Sequence, residues 1–206
     1  MRTFIAVELP PSFHKRLTDL QQGLAESLKQ AAVSQVVRWT PAENIHLTLR
    51  FLGDASEAQR RQLAHGLAAI ALAHAPFDLA LTGVGCFPSF RRPNIVWTGV
   101  VGRVDLLNSL QHSIERLAQA AGFAAEDRPF SPHLTIARIR RDASPTAAAK
   151  AGDVLKTLSD DSSFTHWSVP LAVVSIALIH SDLRPSGPSY TALARFDLAG
   201  REEYRQ

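Results

Sequence analysis

Two tetrads, His46-Leu47-Thr48-Leu49 and His133-Leu134-Thr135-Ile136, stand one in each half of a chain of 206 residues. With 8 His and 11 Thr in the chain, chance supplies about 0.4 His-x-Thr triplets, and roughly 0.1 once both spacers must be apolar. In an extended strand, residues two apart project to one face, so each His and its Thr share a surface while the apolar pair points into a core. Two imidazoles facing each other across a groove form an acid and base pair, because a neutral ring accepts a proton and a protonated ring donates one near neutral pH. That pair suits in-line cleavage of a phosphodiester without a metal. One ring deprotonates the attacking water, the other protonates the departing alkoxide, and the Thr hydroxyls hydrogen-bond the non-bridging oxygens.

A lone His-x-Thr on a strand is more often a satisfied polar pair at a sheet edge, and it is the repetition that favours a site. The competing reading of the histidines is zinc ligation, but no His-x-x-x-His pair, Cys-x-x-Cys pair or Asp-rich motif lies near either tetrad, and two His alone make a poor site. No metal or cofactor is expected.

The elements that must position the tetrads follow from periodicity and punctuation. A strand is predicted over 2–8 and a helix over 12–32, with Phe13, Leu17, Leu20, Leu24 and Leu28 at helical spacing. Strands over 36–40 and 45–52 flank a Pro41-Ala42-Glu43-Asn44 turn. A helix over 56–74 and a strand over 77–84 complete the first half, and a loop over 88–93 leads to the second. There the pattern repeats: a strand over 95–101, a helix over 104–121, a strand over 133–139 and a helix over 146–158. The apolar run 171–179 reads as one strand buried on both sides. A Pro185-Ser186-Gly187-Pro188 turn then leads to a last strand over 190–198. This order predicts a duplicated unit, with approximate halves 1–90 and 91–206, forming one compact two-lobed domain with a central groove.

Composition narrows the setting. The apolar content of 46% suffices for a buried core, the single cysteine Cys86 excludes an internal disulfide, and no apolar run approaches the ~20 residues that cross a bilayer. A cytoplasmic protein without membrane contact is expected. Net charge is only +3, yet 18 of the 22 basic residues are Arg, whose planar fork of donors matches phosphate oxygens. A GC-rich genome produces the same bias. No long basic block indicates binding along a duplex.

The chain resembles the two-histidine phosphoesterase superfamily, and within it the LigT/ThpR branch of RNA 2′,3′-cyclic phosphodiesterases, the 2′-5′ RNA ligase family. The resemblance rests on the residues 2–10, on Arg38-Trp39-Thr40-Pro41-Ala42-Glu43-Asn44-Ile45 leading into His46, on Arg128-Pro129-Phe130-Ser131-Pro132 leading into His133, and on Ser186-Gly187-Pro188-Ser189-Tyr190. It implies an α+β fold of two pseudo-symmetric lobes, each an antiparallel sheet with helices on its outer face, enclosing the groove. It also implies hydrolysis of a terminal 2′,3′-cyclic phosphate on RNA to a 2′-phosphate, with His46 as proton donor and His133 as proton acceptor. Thr48 and Thr135 hold the phosphate. The implied partners are RNA with such an end, tRNA fragments included, or cyclic nucleotides, and the expected form is a monomer. Because the reverse reaction uses the same acid and base, a 2′-5′ RNA ligase or RNA-end binding factor is the alternative, together with a phosphodiesterase for small cyclic nucleotides.

Two arginines are added as substrate-binding candidates. Arg50 shares parity with His46 and Thr48, so an unbroken strand carries it into the groove to hold a phosphate oxygen or the RNA backbone, a plain surface charge being the alternative. Arg138 occupies a position where the resembled family commonly has Arg, but with the opposite parity from His133 unless a bulge re-aims it. Phe51, Phe87, Trp97, Phe130 and Tyr190 are candidates for base stacking, with core packing the plainer role for most. The Arg91-Arg92 and Arg140-Arg141 pairs are either RNA-facing or solvated loop.

Overall fold

The computed structural model describes residues 1–161, 167–184 and 187–201. Along them run β1 (Arg2–Glu8), α1 (Ser12–Gln30), β2 (Val37–Trp39), β3 (His46–Asp54), α2 (Glu57–Ala73), β4 (Phe77–Ser89), β5 (Arg92–Gly102), α3 (Val104–Ala120), β6 (His133–Ile139), α4 (Pro145–Asp160), β7 (Ser168–Val173), β8 (Ser175–Arg184) and β9 (Gly187–Asp197). Helices α2 and α4 start where side chains supply the missing acceptors. Ser56 and Gln59 close a capping box on α2, and Ser144 caps α4 ahead of Pro145 at its first turn. Each helix buries one stripe; on α1 it is Phe13, Leu17, Leu20, Leu24 and Leu28, the set predicted from spacing.

All strand pairs are antiparallel, in the order β7-β4-β5-β6-β3-β1-β8-β9, with β2 also alongside β6. β3 and β6 meet through a single residue pair, Leu47 with Leu134. That seam divides the sheet into two half-sheets. Helices α1 and α4 pack together, with α4 against β4 and β5, while α2 and α3 back the other half through β3, β8 and β9. Leu47 and Leu134 are fully buried on this helix-backed face. The chain halves interleave: β4, from the first half, sits in the half-sheet of β6, and β8, from the second, lies beside β1.

The apolar run 171–179 is not one strand. It breaks at the exposed Val174 into the end of β7, which pairs with β4, and the start of β8, which pairs with β1 and β9. Periodicity could not place this break, because both pieces are apolar. A flat sheet would hold β7 and β8 six strand spacings, or roughly 29 Å, apart. One intervening residue spans only about 7 Å. The sheet therefore curls into a half-barrel, and its ends are tied by the Leu198 N–H donating to the Val174 carbonyl at 2.8 Å. The predicted loop over 88–93 is likewise shorter in fact, since β4 and β5 extend to a hairpin turned by Phe90-Arg91. The Pro185-Ser186 part of the last predicted turn lies outside the described residues. Among the described residues no helix is long and apolar enough to cross a membrane. The result is the mixed α+β architecture of antiparallel sheet and outer helices expected from the sequence.

Candidate active site

His46 is the first residue of β3 and His133 the first of β6. Pro132 has no N–H for a ladder, and a 3-10 turn at Ala42–Asn44 precedes His46, so both strands begin at their imidazoles. The Leu47–Leu134 pair aligns the tetrads antiparallel. In such a ladder Thr135 stands opposite His46 and His133 opposite Thr48, all four on the face away from the leucines. In a regular ladder such diagonal neighbours have Cα atoms roughly 7–8 Å apart, which puts the two imidazoles on either side of one seam.

Both rings are held in the same way. His46 Nδ1 lies 2.9 Å from the Asn44 carbonyl and His133 Nδ1 lies 2.7 Å from the Ser131 carbonyl, each two residues upstream. A carbonyl only accepts, so Nδ1 carries the proton and donates it, which leaves Nε2 as the atom that gains or loses one. His46 also stacks on Phe4 at 4.6 Å between ring centroids and meets the Tyr190 ring edge-on at 5.1 Å. His133 meets Phe87 edge-on at 4.9 Å, with Trp97 at 6.5 Å. Trp97 lies over Gly85, where any Cβ would come within 2.1 Å of its ring. Phe130 instead packs on the main core.

Burial pushes the His46 imidazole down to about 4, opposed by its bond to the Asn44 carbonyl and by the negative charge of Glu8. His133 is also lowered, first by burial and further by the positive charge of Arg138, against its bond to Ser131. In the free protein both rings are therefore neutral at pH 7.

The two arginine candidates part company at two bulges. Between β1 and β3 the register jumps from Ala6 opposite Thr48 to Ile5 opposite Arg50, and the extra residue reverses the parity beyond Thr48. Arg50 is thereby sent out of the groove to the helix-backed face, contrary to the unbroken-strand expectation. It is 7% exposed, 2.6 Å from Glu115 on α3 and 3.1 Å from Glu126, and it also donates to the Phe51 and Ala124 carbonyls. Phe51 takes the groove side, 57% exposed and with its ring 5.9 Å from Phe4. Between β5 and β6 the register jumps from Trp97 opposite Thr135 to Val96 opposite Ala137. This second bulge turns Arg138, exposed, onto the face of His133 and Thr135, where its charge reaches both His133 and Tyr190.

Phe4 and the carbonyls of Asn44 and Ser131 went unread in the sequence. Their signal was available: Phe4 shares parity with Ala6, opposite Thr48, and both carbonyls sit two residues before a tetrad. Arg140 is paired with Asp142 at 3.2 Å, and Arg91 and Arg92 line a surface cleft of about 550 Å³ that shares no residue with the tetrads. Among the described residues no group of three or more His, Cys, Asp or Glu is placed to hold a metal ion.

The chain resembles known proteins in sequence and in fold. The LigT like Phosphoesterase family model matches residues 7–97 and 102–190. An RNA 2′,3′-cyclic phosphodiesterase of Geobacillus stearothermophilus is 33% identical over 98% of the chain, which spans 59% of that relative's length. One from Aquifex aeolicus is 31% identical over 86% of the chain and 90% of its own length. The crystal structure of E. coli LigT complexed with 3′-AMP shares the fold, with a TM-score of 0.72 at 23% identity over 96% of this chain and 97% of that one.

Proposed function

Since the chain belongs to the LigT-like phosphoesterase family, we propose that it hydrolyses the terminal 2′,3′-cyclic phosphate of RNA to a 2′-phosphate. The reading is carried by two tetrads aligned across one seam, each with its imidazole anchored through Nδ1. Thr48 and Thr135 donate to the non-bridging oxygens of the cyclic phosphate. His133 Nε2 takes a proton from water as the water oxygen bonds to phosphorus, and His46 Nε2 gives its proton to O3′ as the P–O3′ bond breaks.

Neighbouring charges support this order of roles. Glu8, held by Arg195 at 2.6 Å, favours a proton on His46, whereas Arg138 disfavours one on His133. Burial alone would leave His46 neutral, and the charge of the entering diester supplies the remaining pull toward its protonated form. Arg138 is placed in this reading as a phosphate-oxygen ligand, and Arg50 as the strut that fixes β3 against α3.

The matching anchors and bulges of the two tetrad strands support an internal duplication. Both tetrads come from one chain, which fits a monomer, and the buried Cys86 fits a reducing cytoplasm, with tRNA fragments among the substrates. Phosphorus NMR on an oligonucleotide with a 2′,3′-cyclic end tests the proposal. Conversion to a 2′-phosphate is expected; a 3′-phosphate product, or no turnover, contradicts it.

A further inference from the structure

The buried stripe of α1 carries one polar member. Phe13, Leu17, Leu20, Leu24 and Leu28 pack on the main core, and among them Gln21 is 9% exposed. An apolar side chain would fill the stripe without desolvating an amide, so that cost is offset only by the bonds Gln21 makes. Its Nε2 donates to the Thr40 carbonyl at 2.7 Å and to the Ile136 carbonyl at 2.8 Å. Both partners only accept, so the NH2 end faces them, and a planar NH2 fixes the directions of its two hydrogens. One helix side chain thus sets where two backbone carbonyls stand.

Each carbonyl belongs to the support of a tetrad. Ile136 closes the second tetrad and is the residue inserted at the β5–β6 bulge: Trp97 stands opposite Thr135 and Val96 opposite Ala137, which leaves Ile136 without a β5 partner. It is held from the other side, by the Thr40 N–H at 3.0 Å and by Gln21. Thr40 in turn leads through Pro41 and the Ala42–Asn44 turn to the carbonyl that anchors His46. Because β3 and β6 share only the Leu47–Leu134 pair, their own ladder secures little here, and α1 adds a tie.

We propose that Gln21 is a positioning residue for the reaction: by pinning Ile136 it fixes the bulge that turns Arg138 onto the face of His133 and Thr135. This rests on the reading of the tetrads as the site of the reacting phosphate. Without the bulge, β6 continues in regular alternation and sends Arg138 to the helix-backed face. Gln21 itself touches no substrate.

The test compares wild type with Gln21→Met, which keeps the length but loses both donors, and with Gln21→Asn, which holds the amide one methylene short of the carbonyls. Leu24→Ala, about one turn along the same stripe, is the control for a loosened α1. Turnover of an oligonucleotide with a 2′,3′-cyclic end is read at a temperature where circular dichroism shows the variants folded. Both Gln21 variants are expected to lower kcat at least about tenfold, whereas Leu24→Ala, though less stable, keeps kcat within about twofold of wild type. The decisive readout is a double-mutant cycle. Arg138→Gln costs at least about fivefold less in the Gln21→Asn background than in wild type, because a displaced guanidinium has little left to lose. An unchanged kcat in the Gln21 variants, an equal loss in Leu24→Ala, or additive effects of Gln21→Asn and Arg138→Gln overturn the proposal. If wild type turns over no cyclic end, the phosphodiesterase reading fails on its own. Ring titration of His133 by NMR then decides the role of Gln21: removing the Arg138 charge raises the His133 midpoint, and must raise it less in Gln21→Asn than in wild type. An equal rise in both refutes it.

Discussion

Each tetrad histidine owes its protonation habit to three surroundings: a carbonyl at Nδ1, aromatic rings against its faces or edges, and one charged neighbour. Both are held below the ordinary histidine range, so the singly protonated pair that the proposed mechanism needs is most populated on the acid side of pH 6.5. The kcat/KM optimum is expected there, with the kcat optimum at higher pH, where bound phosphate raises both groups. An optimum of kcat/KM above pH 7 contradicts this. In Arg138→Gln, loss of the positive charge moves the His133 limb upward, which a pH–rate series reads directly. Because the proposed mechanism gives both proton transfers to imidazoles, activity is expected to persist in EDTA. The shared face of His and Thr in each tetrad was legible because a strand's two-residue period alone places them together. Arg50 was misread because the same period assumes an unbroken strand.

At the scale of elements, the bulges decide what enters the groove, and a single inserted residue exchanges Arg50 for Phe51. Sequence patterns are nearly blind to such insertions, since the buried Leu49-Arg50 and Ile136-Ala137 pairs differ too little from ordinary alternation. Arg50 ties β3 to α3 and to the segment that leads toward His133. Arg50→Met leaves Glu115 buried beside no cation and is expected to cost about 3–5 kcal/mol of stability in denaturant titration. Full stability in that variant would show the strut to be dispensable. Gly85→Ala is a milder probe of β4. It pushes Trp97 off its seat, and turnover is expected to fall together with the tryptophan fluorescence change that reports the displacement.

Over the whole molecule, acid should loosen the fold. The unfolded chain takes up a proton on His46 near pH 6.5, the folded chain only near 4, so stability is full above pH 6.5 and declines as pH falls toward 4. The decline attributable to this residue is at most about 3 kcal/mol. His46→Asn is expected to show a flatter melting temperature against pH over that interval, and an unchanged slope would place the acid sensitivity elsewhere. Sheet, helices and their alternation were readable from the chain. The break at Val174 was not, because it depends on which distant strands receive the two pieces. That interleaving also governs synthesis. His46 is made early, yet β1 waits for β8 and β4 waits for β7, so fragments cut near residue 90 should gain structure only when mixed. Under the proposed mechanism, a growing polypeptide holds the first imidazole without its partner, and its chemistry waits until the strands that close the half-barrel have left the ribosome.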